Sequence, residues 1–216
     1  MRASAPSHRR AVAVESFQTA AACIGPVEPG MSLFAITRGQ FSMVDAVLHV
    51  LDQCGPSRLS IWTWTIAEYE ISVFTALMRD ARLTSARLCI DEGGRGKYVG
   101  QGARGGDASI VREWKQTFGP ESVRYIRNHA KIATVEGGGR RVLLRGSMNL
   151  NFNARFEQLD VTEGGPDFDL VREIEDEFPI LPDDCSIEDT VNASRVAEAF
   201  NPEQLAMFAG VKTWAK

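Results

Sequence analysis

The sequence predicts an α/β fold: a mixed β-sheet sandwiched between helices, with a short helical extension at the C-terminus. Three observations carry that prediction. Apolar runs rich in β-branched and aromatic residues alternate with runs whose apolar residues recur at helical spacing. A glycine-rich turn near residue 138 joins two apolar runs, so at least one strand pair is antiparallel. The 216 residues, 44% hydrophobic and 24% charged, suffice for one substantial core, and no internal repeat divides it.

The elements follow in order. "LFAIT" (33–37) predicts a strand, and 42–54 a helix that starts at a Ser42 cap and stops at Gly55 and Pro56. Its apolar residues fall at 43, 44, 47, 48, 50 and 51, the spacing of an amphipathic helix. "RLSIWTWTI" (58–66) predicts a strand, 68–81 a helix and "ARLCID" (86–91) a strand. A helix over 107–118 starts at a capping Asp107 and stops at Gly119 and Pro120. "SVRYI" (122–126), "HAKIATVE" (129–136) and "RVLLRG" (141–146) predict three further strands, and two short helices follow residue 182.

No apolar run reaches the ~20 residues of a membrane span, and Glu15, Gln18 and Thr19 interrupt any export signal in the first 25 residues. A cytoplasmic protein with no membrane partner is expected. Cys23, Cys54, Cys89 and Cys185 lack metal-ligand spacing and predict reduced thiols, and neither a metal nor a cofactor is expected. The net charge of −4 conceals polarity along the chain. Residues 87–145 hold twelve Lys/Arg against six Asp/Glu, whereas 155–216 hold five against fifteen. A basic segment in an acidic protein suits a phosphate-bearing ligand. Equally, its arginines can pair with the acidic C-terminal third.

The stretch "NHAKIATVEGGGRRVLLRGSMN" (128–149) concentrates the chemistry. If 129–135 is a strand, His129 and Lys131 project from one side. The glycine turn sends the next strand back, which delivers Ser147 and Asn149 to the same sheet end. An imidazole is a nucleophile toward phosphorus, an ammonium neutralises phosphoryl oxygens, and hydroxyl and amide groups supply neutral hydrogen bonds. These are the parts of a phosphoryl-transfer site that needs no metal.

His129-x-Lys131-x4-Glu136 followed by Gly146-Ser147-x-Asn149 resembles the signature of the phospholipase D superfamily, His-x-Lys-x4-Asp with a downstream Gly-Ser-x-Asn. The resemblance implies a phospholipase D-like catalytic domain over 31–180, preceded by a mobile N-terminal segment (1–30) and followed by an acidic helical extension (181–216). It implies that His129 forms a covalent phosphohistidine, that Lys131 and Asn149 hold the phosphoryl oxygens, and that Ser147 supports the site. The family's carboxylate that orients the histidine would be Glu157, with Asp160 as the substitute. Glu136 stands where the family has Asp, and its odd offset from His129 gives it a structural role near the hairpin.

Many family members contain two motifs in one chain, whereas this chain has one, with His8 and His49 as its other histidines. His8 lies in the polar N-terminal segment, and His49 on a helix reads as a packed histidine. The resemblance therefore implies a homodimer that pairs two His129 residues across a two-fold axis. Between residues 91 and 107, "EGGRGKYVGQGARGG" supplies Arg95, Lys97 and Arg104; with Arg145 these are the candidate substrate-binding cations. Trp62 and Trp64 read as sheet packing.

The expected function is a metal-independent phosphodiesterase, a nuclease acting on DNA. A phospholipid hydrolase of the same superfamily and a non-catalytic nucleic-acid-binding module are the alternatives.

Overall fold

The computed structural model describes residues 9–14, 18–64, 68–91, 106–126, 128–148, 150, 154–178 and 180. Chain order gives β1 (Arg9–Ala13), α1 (Ala20–Ile24), β2 (Ser32–Thr37), α2 (Met43–Cys54), β3 (Ser57–Thr63), α3 (Glu68–Arg79) and β4 (Leu83–Asp91). Then come α4 (Gly106–Phe118), β5 (Val123–Ile126), β6 (Lys131–Gly137), β7 (Arg140–Gly146), β8 (Glu157–Glu163) and α5 (Pro166–Asp176).

The eight strands form one sheet in the order β1-β2-β8-β7-β6-β3-β4-β5. Parallel neighbours need a crossover, and α3 and α4 supply those that link β3 to β4 and β4 to β5. Between the parallel edges, β8, β7 and β6 run antiparallel to their neighbours, so the sheet is mixed. α2 forms as its sequence dictates. Ser42 Oγ accepts from the Asp45 N–H at 3.2 Å, Asp45 Oδ2 accepts from the Ser42 N–H at 2.7 Å, and Gly55 at φ 70° ends the helix.

Alternation along the strands sorts the sheet into two faces. One carries Leu33, Ile61, Leu88, Val135 and Leu144 against α1 to α4, with Phe74 and Trp114 buried among them. The other carries Trp62, Cys89 and Ile126 beneath α5, which reaches them through Val171, while Phe178 just beyond α5 packs 4.8 Å from the Trp62 ring. Polar contacts also fasten α5. Arg145 pairs with Asp167 at 2.7 Å, Arg141 with Asp169, and Arg87 with Glu175 at 3.0 Å and Asp176 at 2.8 Å. Glu175 is fully buried and accepts from Ser60 Oγ at 2.7 Å.

Several expectations need correction. β1 and α1 fall in the stretch set apart as 1–30, yet β1 pairs with β2 and Ala20, Cys23 and Ile24 are buried in the core. Alternation alone could not find β1, because four of its five residues are exposed on an edge strand. The strand expected over 58–66 ends at Thr63. The helix expected from a capping Asp107 includes Gly106, so Asp107 lies inside its first turn. β6 begins at Lys131, which leaves His129 outside the strand.

Cys23, Cys54 and Cys89 are buried free thiols. Among the described residues no helix is long and apolar enough to cross a membrane. The loop with Arg95, Lys97 and Arg104, the two helices expected after residue 182, Cys185, His8 and Asn149 lie outside the described residues.

Glu175 holds Arg87, Arg172 and Ser60 together from a fully buried position. Glu175→Ala is expected to cost about 3 kcal/mol, because the partly buried Arg172 guanidinium loses its counter-charge and Arg87 keeps only Asp176. Urea unfolding of the variant and wild type measures this, and a shift under about 0.5 kcal/mol would contradict the clasp.

Candidate active site

β2, β3 and β4 end at the same side of the sheet where β7 ends and the antiparallel β6 and β8 begin. In open α/β sheets the carboxyl ends of parallel strands are where ligands bind. The polar residues of the 128–149 stretch sit at this end.

The hairpin sets their register. Gly138 and Gly139 have φ of 56° and 76°, the two positive values a tight two-residue turn between β6 and β7 requires. Counting back from that turn, Glu136 stands opposite Arg141 and Lys131 opposite Gly146. A side chain at Gly146 would bring Cβ within 2.1 Å of the Gln158 carbonyl oxygen, so glycine is what lets β8 close on β7 there. Ser147 follows. Its N–H donates to the Gln158 carbonyl at 3.1 Å, and its Oγ accepts from the Gln158 N–H at 2.9 Å while donating to Glu157 Oε2.

Lys131 is only 7% exposed. Its Nζ donates to the His129 carbonyl at 2.6 Å and lies 3.2 Å from Nδ1 and 3.3 Å from Nε2 of the imidazole. Burial lowers the lysine pKa from its ordinary value, and the nearby Glu157 carboxylate opposes that shift.

His129 occupies an exposed loop residue between β5 and β6, and the strand expected to start there is displaced by Asn128. The Asn128 side chain accepts from the Ala130 N–H at 2.8 Å and donates to the carbonyls of Ala130 at 3.2 Å and Thr63 at 3.3 Å. Its backbone N–H donates to Asp91 Oδ2 at 2.8 Å. These bonds use the groups a ladder would have used, a known capacity of asparagine. The result pins the histidine loop to the ends of β3 and β4. Across from it the Trp64 ring lies 5.6 Å from the imidazole, and Trp64 is 42% exposed.

The structure thus brings His129, Lys131, Ser147 and Glu157 to one sheet end. Glu157 engages Ser147 and acts on Lys131 through its charge, while the His129 ring lies against Lys131 and Trp64. Arg145 stands apart. It pairs with Ile132, the strand neighbour of Lys131, so it projects from the opposite face and is held by Asp167 at 2.7 Å. Asp160 lies opposite Arg145 and accepts from Gln158 Nε2 at 2.8 Å, away from the histidine. Glu136 stands opposite Arg58 in β3 at 3.7 Å, beside the hairpin.

Sequence reasoning passed over Asn128 and Asp91 and assigned Trp64 to sheet packing. Trp62 packs under α5 as expected, but β3 ends before Trp64 and turns it toward His129. An Asn directly before the motif histidine is a turn-forming signal that points to the clamp.

No protein-family model matches the chain, and no curated protein does. Among solved structures it is similar to the phosphatidylserine synthase of Haemophilus influenzae Rd KW20, at 17% identity and a TM-score of 0.45. The match covers 84% of this chain and 45% of that one, so the chain spans less than half the length of that protein.

A lysine whose folded-state pKa lies below its unfolded value binds fewer protons when folded, so its charge opposes folding at neutral pH. That penalty lapses as pH rises from the lowered value toward the unfolded ~10.4. Stability of the wild type relative to Lys131→Met is therefore expected to rise with pH in the window just below 10.4. Thermal unfolding of both chains from pH 7 to pH 10 tests the sign, and a gap that is flat or moves the other way contradicts it.

Proposed function

We propose that the protein is a metal-independent phosphodiesterase that cleaves nucleic acid, with DNA as the substrate. The observation that carries this reading is the ammonium of Lys131 held 3.2 Å from a ring nitrogen of His129, with Ser147 and Glu157 beside it. A buried ammonium placed against an imidazole suits one reaction above others: attack of nitrogen on a centre whose oxygens carry negative charge.

In the proposed cycle a His129 ring nitrogen bonds to phosphorus as the bond to the leaving oxygen breaks. Lys131 shares its donors between the His129 carbonyl and the non-bridging oxygens, so it follows the developing charge without a proton transfer. The leaving oxygen takes a proton from a second imidazole. Water then gives its proton to that group and attacks phosphorus, the P–N bond breaks, and a phosphomonoester leaves.

His49 does not suit the second role, because its Nε2 is engaged by the Gly25 carbonyl at 2.8 Å and by Gln53 at 2.7 Å. The reading therefore includes a homodimer in which the partner's imidazole completes the site. Trp64 and the 71% exposed Phe156, which lies under the Arg38 guanidinium, flank this sheet end. Aromatic rings beside cations favour a substrate that offers both bases and phosphates. Asn149, Arg95, Lys97 and Arg104 remain part of the proposal as phosphate-contacting groups.

Wild type and His129→Ala, incubated in EDTA with labelled single- and double-stranded DNA, RNA and phospholipid vesicles, test the reading. Cleavage of DNA in chelator is expected, with a loss of at least about 10³-fold in the variant. Activity that requires added Mg²⁺ would contradict the mechanism. Equal DNA retention by both chains without cleavage would identify a binding module, and release of lipid headgroups would identify a phospholipid hydrolase.

A further inference from the structure

A second cleft lies toward the other end of the sheet, on the face beneath α5. It encloses about 470 Å³, within the usual ~300–1,000 Å³ range of small-molecule sites. Arg58 enters it from the second residue of β3, some five residues of strand, or about 17 Å, from the Thr63 that adjoins the histidine loop. Arg87, Arg124 and Arg172 complete a cationic wall, and Phe118 and Pro120 form an apolar one.

Arg124 is the group that fold stability alone does not account for. It is 7% exposed, and its Nη1 donates to the carbonyls of Glu121 and, at 3.4 Å, Val123. Its Nε is buried with no hydrogen-bond partner, and among the described residues no carboxylate forms an ion pair with it. Arg87 and Arg172 are already turned toward Glu175, at 3.0 and 3.2 Å, and Arg58 reaches Glu136 only across an exposed 3.7 Å. Burial and the neighbouring Arg87 charge press the Arg124 guanidinium toward its neutral form by more than the Glu121 and Glu175 charges offset. A buried donor without a hydrogen-bond partner, on a cation with no ion-pair contact, is unfavourable unless something else supplies one.

We infer that this cleft binds the phosphate of a small phosphomonoester, seated against Arg124 and Arg58, with the organic part against Phe118 and Pro120. A guanidinium fork matches phosphate geometry better than any other side chain does. The acids argue for a single phosphate over a polymer: Glu121 lines the cleft and Glu175 lies behind it, and both would repel an extended polyanion. The site stands whether or not His129 cleaves nucleic acid.

Isothermal titration with inorganic phosphate and phenyl phosphate tests it, using full-length His129→Ala as the background to silence the other site. Phenyl phosphate is expected to bind more tightly than phosphate and to raise the unfolding temperature. Arg124→Met, which keeps the apolar stem, is expected to weaken binding by about tenfold or more, and Arg58→Gln, at an exposed position, by a few fold. If Arg124→Met does not fold, Arg58→Gln combined with Arg172→Gln carries the same expectation. No binding in the background chain, binding indifferent to these substitutions, or binding abolished by Lys131→Met alone would overturn the inference.

Discussion

The register of one hairpin governs the site. Gly138 and Gly139 close β6 on β7 in a turn with two positive φ angles, and every pair up to Lys131 and Gly146 follows from it. A slip of one residue would exchange the faces, carrying Lys131 to the side covered by α5 and Arg145 to the side of the histidine. β6 and β7 also lie at the centre of the sheet, with β3 bonded on one flank and β8 on the other, so neither can shift alone. The Gly146 backbone approach fixes β8 in turn, and with it Glu157.

That rigidity is used to hold an unfavourable group. The Lys131 ammonium is buried where desolvation works against its charge, and the groups that hold it are the His129 carbonyl and the field of Glu157. A surface lysine would be more stable but would be wrapped in water and free to swing. In the proposed function, a buried one is already positioned when a phosphoryl oxygen arrives, and little reorganisation is left to the reaction. The Asn128 clamp makes the corresponding arrangement for His129: the loop is exposed, yet four hydrogen bonds fix its backbone to β3, β4 and itself.

Much of this was legible in the sequence because it rests on local rules. Ser42 and Asp45 announce the start of α2, the glycine run announces the hairpin, and the spacing of His129, Lys131 and Ser147 places them at one end once the hairpin is assumed. The unread parts depend on contacts distant in sequence. β1 is recognisable only by its pairing with β2, and the turn of Trp64 toward His129 needs β3 to stop at Thr63. Strand parity set from His129 failed for a specific reason: Asn128 withdrew the loop from the ladder, so proximity of His129 and Lys131 comes from a side-chain turn in place of a shared strand face.

Charge shows most clearly how sequence and structure divide the argument. The basic 87–145 segment invites a polyanion, but Arg87, Arg141 and Arg145 are matched to Glu175, Asp176, Asp169 and Asp167 of α5. The polarity along the chain is therefore, in part, the means by which the acidic helix finds its face of the sheet. Support for a nucleic-acid substrate cannot be drawn from the count of arginines once these are spent. The proposed reading rests instead on groups at the histidine's sheet end that do not pair with α5: Lys131 beside His129, Arg38 over Phe156, and the exposed Trp64. Arg124 is the instructive remainder, a cation of the same segment that forms no ion pair with α5 among the described residues, buried in a cleft with its Nε–H unpaired.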